Sequence, residues 1–150
     1  MRQTSVPKPT ETATTSRSAL EQRSVEHSID LEDGSTCCIV VTRFSNRALV
    51  VVSNTGTFGS IVHARREQSL RGGKTYDVHT VLGDRSDPMP ELCARLVVEG
   101  GEKQWNANRG GMFPTVMFCF GLSSGSLSSK DNTSAIVTCV VNTLAELSQI

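Results

Sequence analysis

The chain has 150 residues, enough for one domain and too few for two comfortable ones, and long enough to bury a core without a disulfide or metal staple. Its charge is balanced at 15 Lys plus Arg against 15 Asp plus Glu, which removes the basic excess that nucleic acid or an anionic membrane would attract. No stretch is long and apolar enough to span a bilayer, and the first residues lack the apolar run of a secretory leader. Five cysteines, Cys37, Cys38, Cys93, Cys119 and Cys139, make an odd count, and four of them sit within apolar runs. They read as free thiols in a reducing compartment, the cytoplasm first and the nucleus as the alternative.

Residues 1–23 are rich in Ser, Thr, Pro and charge, with almost no large apolar side chain. Such a segment buries too little to offset the entropy of ordering, so it reads as a disordered tail ahead of a single domain over 24–150. Val25, His27, Ile29 and Leu31 alternate as in a half-exposed strand, and Asp33-Gly34 is a hairpin turn pair. Apolar runs follow at 37–42 and 48–52, then a turn at Asn54-Thr55-Gly56 and a fourth strand over 58–64. Three hairpins in succession predict an antiparallel meander. Residues 65–75 are polar around Gly72-Gly73 and read as a flexible loop before a fifth strand over 76–82.

Asp87-Pro88 opens a helix, with Leu92, Leu96 and Val97 expected inward and Gly100-Gly101 as its stop. Residues 102–114 read as a second long loop, and 115–120 as a buried strand. The last segment, capped by Asp131 or Asn132, carries Ile136, Val137, Val140, Val141, Leu144 and Leu147 at helical spacing. The prediction is therefore α+β: a six-stranded, mainly antiparallel sheet in the order β-β-β-β-β-α-β-α, with two helices on one face.

The strands at 37–42, 48–52 and 115–120 are apolar on both alternating faces, whereas a sheet wet on one side alternates. Two helices cover only one face. The other is expected to dimerise, sheet against sheet, with a second copy or a relative.

Catalytic and metal motifs are weak. Gly121-Leu122-Ser123-Ser124-Gly125 has the nucleophile-elbow spacing, but that motif needs a later histidine, and His27, His63 and His79 all precede it. A small hydrolase using Ser123 is the alternative from the enzyme class. No Cys pair has zinc-finger spacing, and adjacent Cys37 and Cys38 point to opposite faces of a strand. His63 and His79 read as a structural pair if their strands are neighbours. No enzyme activity, cofactor or metal is expected.

The meander text Val40-Val41-Thr42-Arg43-Phe44-Ser45-Asn46-Arg47-Ala48-Leu49-Val50-Val51-Val52, then Gly56-Thr57-Phe58-Gly59-Ser60-Ile61-Val62, then Val81-Leu82-Gly83-Asp84 and the helix after Pro88, resembles the proteasome assembly chaperone 3 family. The resemblance runs from about Val25 to the C-terminus. It implies a non-catalytic chaperone that pairs with assembly chaperone 4, assists assembly of the 20S proteasome α-subunit ring, and leaves before the particle matures. A dimeric adaptor of roadblock or longin type is the alternative, which the unbroken run of strands before Pro88 argues against. On physical grounds the two long loops are the places for partner contact. Arg65, Arg66 and Arg71 suit an acidic surface, and Trp105, Arg109 and Phe113 are residue types favoured at interfaces. Trp105 serves equally well as an anchor on its own domain.

Overall fold

The structure, a computed structural model, describes residues 23–68, 70–108 and 113–148. The elements follow the predicted order: β1 (Arg23–Asp30), β2 (Thr36–Arg43), β3 (Arg47–Ser53), β4 (Ser60–Gln68), β5 (Lys74–Leu82), α1 (Met89–Asn108), β6 (Thr115–Gly121) and α2 (Lys130–Leu147), with a 3-10 turn at Ser126–Ser128. The fold is α+β, as the sequence predicts. The Asp33-Gly34 turn forms: Gly34 takes the left-handed φ of 87° that glycine tolerates, and the Asp33 carboxylate accepts from the Ser35 amide.

The strands make one sheet in the order β1-β2-β3-β6-β4-β5, with β3 and β6 parallel and the other neighbours antiparallel. The predicted meander holds from β1 to β3 and breaks there, because β6 inserts between β3 and β4. Strand β6 reads Thr-Val-Met-Phe-Cys-Phe-Gly, apolar on both faces, and such a strand belongs at the centre of a sheet. The β3–β4 connection must then cross the end of β6. It is tied down there by Asn54 N–H to Gly121 O (3.1 Å) and Gly59 N–H to Phe120 O (2.9 Å). A Cβ on Gly121 would overlap the Thr57 carbonyl, so only glycine fits at the crossing.

Both helices lie on one face. Helix α1 packs on β4, β5 and β6, α2 packs on β1 and β2, and the two helices touch each other. Ile39, Val41, Val50, Val62, Val116 and Phe118 supply the sheet side of the core. Helix α1 starts as predicted, with the Asp87 carboxylate accepting from Met89 N–H at 3.1 Å. It does not stop at Gly100-Gly101. Two interior glycines cost about 1 kcal/mol each relative to alanine, but both mark close approaches. A Cβ on Gly101 would lie 2.7 Å from the Phe113 ring, and one on Gly100 would lie 3.4 Å from Val141 of α2. The expected loop over 102–114 is thus helical to Asn108.

The inward stripe of α1 is also rotated from the prediction. Val97 is buried as expected, but Leu92 and Leu96 are 44% and 39% exposed, and Cys93, Ala94 and Val98 join Val97 on the inward face. Two adjacent buried pairs four apart cover a wider face than the two leucines alone. Helix α2 is capped by Ser129, whose side chain accepts from Asn132 N–H, rather than by Asp131 or Asn132. Asn132 instead joins α2 to the β1–β2 turn, its Oδ1 accepting from Glu32 N–H (2.9 Å) and its Nδ2 donating to Ser126 O (3.1 Å). The expected α2 stripe is buried except for Val137, which is half-buried.

Candidate functional site

Alternation sends every second side chain of the sheet away from the helices. Register then assembles a second face. Val40, Val51, Cys119 and Ile61 form one row across β2, β3, β6 and β4. Thr42, Leu49, Met117, His63 and His79 form the adjacent row, reaching β5. Among the described residues no element lies over these rows. The apolar members Val40, Leu49, Val51, Ile61 and Met117 are only half-buried, by one another. Polar groups rim the patch: Glu26, accepting from the Cys38 thiol at 3.2 Å, on one side, and Arg47, Arg65 and Asp77 on another. An open groove of about 400 Å³ continues the face past Cys38 and Val51 to Phe58, which is 53% exposed.

The residues singled out in the sequence for partner contact do not gather at one place. The predicted 65–75 loop is largely strand, because its charges have cross-strand partners. Arg65 lies on the open face with Asp77 at 3.4 Å, and is half-exposed. Arg66 points the other way, under α1, where its Nη1 lies 2.9 Å from Oε2 of Glu102. Arg71 is exposed in the β4–β5 turn. Trp105 and Phe113 are 4% and 3% exposed and meet edge to face, ring centroids 5.6 Å apart, with the Arg43 guanidinium 5.0 Å from the Trp105 ring. Their aromatic surface is spent inside this domain, the anchor role weighed for Trp105. Arg109 lies outside the described residues. The open-face residues Leu49, Val51, Ile61 and Met117 escaped selection because the signal for them is register between distant strands. Only the apolar-on-both-faces runs were visible in the sequence.

Glu102 was also missed. It is 1% exposed and holds two partners: Arg66 and the Tyr76 hydroxyl, which donates to its Oε1 at 2.6 Å. Burial, helped by that hydrogen bond, pushes the Tyr76 phenol up to about 12.

A pocket of about 440 Å³ lies where β3 and β6 end, between the 3-10 turn and the start of α1. It contains Ser123, whose hydroxyl meets Ser126 Oγ (2.9 Å) and Asn54 Nδ2 (3.1 Å) and whose amide donates to Asn54 Oδ1 (2.8 Å). None of these partners is a base that could activate the hydroxyl. The thiols are held protonated. Burial pushes Cys93 up to about 12 and Cys37 up to about 11.

On the β4–β5 part of the open face, His63 and His79 are directly paired, ring centroids 5.2 Å apart, with Asp77 two residues along from His79. His63 is shifted below the usual histidine range by burial first and by neighbouring His79 and Arg65 next. One ligand atom from each of His63, Asp77 and His79 falls within 4.8 Å of the other two.

The proteasome assembly chaperone 3 family profile matches residues 50–146, well over half of the chain. The chain belongs to that family. A chain from a crystal structure of a chaperone complex for yeast 20S proteasome assembly superposes with a TM-score of 0.61, covering 81% of this chain and 98% of that one at 16% identity. At that identity the likeness speaks for the fold. A comparison with curated proteins returns no match.

The match to assembly chaperone 3 begins at Val50 in β3 and ends at Glu146 in α2. It spans β4, β5, α1 and β6 in full, and with them Val51, Ile61, His63, His79, Met117 and Cys119 of the open face. Strands β1 and β2 precede the matched stretch.

Proposed function

We propose that this chain is a non-catalytic chaperone for the α-subunit ring of the 20S proteasome, working as a heterodimer with assembly chaperone 4. The observation that carries the reading is the open sheet face, two adjacent rows of half-buried apolar side chains with no described element over them. A related chain of the same architecture offers a matching sheet, and face-to-face packing removes both patches from water. The polar rim then sets register and partner choice. Arg65 and Arg71, exposed beside that face and in the β4–β5 turn, are the cations offered to acidic surface on a proteasome subunit. The dimer holds α-subunits in productive order, in the cytoplasm, until later subunits occupy its position and displace it.

The test is gentle affinity purification of the tagged full chain beside its Val51→Lys variant. The expected result for the natural chain is a similar-sized partner with proteasome α-subunits and few mature β-subunits. The variant, charged in the middle of the open face, should lose the partner while keeping its melting temperature. A chain recovered alone, or a partner that ignores Val51→Lys, overturns the proposal.

A further inference from the structure

The pairing of β4 with β5 sets two imidazoles and a carboxylate on one patch of the open face. His63 and His79 are cross-strand partners, which places their Cβ atoms about 5 Å apart. Asp77 precedes His79 by two residues and so shares its face. Tetrahedral zinc, with bonds of about 2.0–2.1 Å, needs donor atoms roughly 3.3–3.5 Å from one another. His79 Nδ1 and Asp77 Oδ1 already stand 3.4 Å apart, and no pair in the trio is separated by more than 4.8 Å. A small side-chain rotation closes the remainder.

Two further observations bear on a ligand. His63 Nδ1 is buried and has no hydrogen-bond partner among the described residues, an arrangement that costs free energy unless a ligand engages that atom. No described group donates to or accepts from that nitrogen, so Nδ1 can carry the lone pair that a metal takes. Asp77 in turn is steadied by Arg65, Nε to Oδ2 at 3.4 Å, while its other oxygen faces His79. Metal-binding carboxylates are commonly oriented by such an outer partner.

We propose that His63, Asp77 and His79 form a three-ligand site for a divalent late transition metal of the zinc class. Imidazole with carboxylate is the donor set that such ions take. Three protein ligands leave the fourth position open, filled by water in the isolated chain. The site lies within the face proposed for docking, so a partner sheet seated there would cover its fourth position, and the isolated chain is the form to test.

The experiment is calorimetric titration of the reduced, chelator-treated full chain with zinc, and a parallel cobalt titration followed by visible absorption. The expected result is one zinc per chain and a four-coordinate cobalt spectrum without thiolate charge-transfer bands. His79→Ala removes a side chain that is 53% exposed, so the fold is kept, and zinc affinity should fall at least about tenfold. Cys38→Ser should bind like the natural chain. No saturable zinc binding, unchanged binding in folded His79→Ala, or thiolate bands that vanish in Cys38→Ser would each overturn the assignment.

Discussion

Glu102 is a carboxyl group buried at 1% exposure, so its two partners decide what it contributes. Arg66 reaches it from β4 at 2.9 Å, with the contact too oblique to form a good hydrogen bond, and the Tyr76 hydroxyl reaches it from β5. Removing one partner strands a carboxylate in the protein interior. Arg66→Met should therefore destabilise by about 3 kcal/mol, a fall in melting temperature of roughly 10 °C for a domain of this size. Arg66→Met with Glu102→Met should cost less than the single change, and thermal unfolding of the pair measures the difference. Equal losses would mean that the buried carboxyl carries no penalty when Arg66 is gone. Tyr76 gives a second handle, because it is the only tyrosine in the chain. Its phenol is raised from 10.0 to about 12 in the folded state, by burial first and by Glu102 next. Its contribution to stability is thus complete below pH 10 and is lost as pH rises towards 12. Tyrosinate absorbance should appear near the upper value in the folded chain, and a midpoint near 10 would contradict the buried contact with Glu102.

At the scale of elements, Gly101 and Gly121 show how one residue type serves opposite ends. Gly101 sits inside α1 where the Phe113 ring crosses, and Gly121 ends β6 where the Thr57 carbonyl crosses. Gly101→Ala can be met by a shift of the ring and should cost about 1–3 kcal/mol, as overpacking does. Gly121→Ala collides with backbone and should cost more, read as the larger loss in denaturant midpoint. A neutral Gly121→Ala would mean the β3–β4 connection lies elsewhere. In the sequence Gly100-Gly101 resembles a helix end, since a glycine pair usually is one, and close packing against Phe113 and Val141 is a tertiary fact. Strand order is tertiary for the same reason. The runs 37–42, 48–52 and 115–120 were legible as buried strands, but nothing local says that the last inserts beside the second. Burial of Cys37 and Cys119 was legible from those runs, whereas that of Cys93, which lies outside them, was not. Native-state labelling should modify half-buried Cys38 and Cys139 first, and Cys37 and Cys93 only on unfolding, where all five react alike.

The whole molecule is asymmetric across its sheet. One face is covered by α1 and α2, and the other presents Val40, Leu49, Val51, Ile61 and Met117 around Cys119. Soluble monomers rarely leave a contiguous apolar patch of more than a few hundred Å² in water. A chain purified alone should therefore pair through this face with whatever sheet is present, including its own. Sedimentation over a range of concentrations should show reversible self-association. Leu49→Glu, which puts a charge between Thr42 and Met117 in the second row, should abolish it. Because Leu49 points away from the helix-side core, the same variant should unfold within about 1 kcal/mol of the natural chain, as surface changes do. Self-association that survives Leu49→Glu would move the contact off the open face, to the exposed Leu92 and Leu96 on α1. A natural chain that stays monomeric at every concentration would mean that the patch is tolerated in water, and the sheet-to-sheet dimer would lose its driving force.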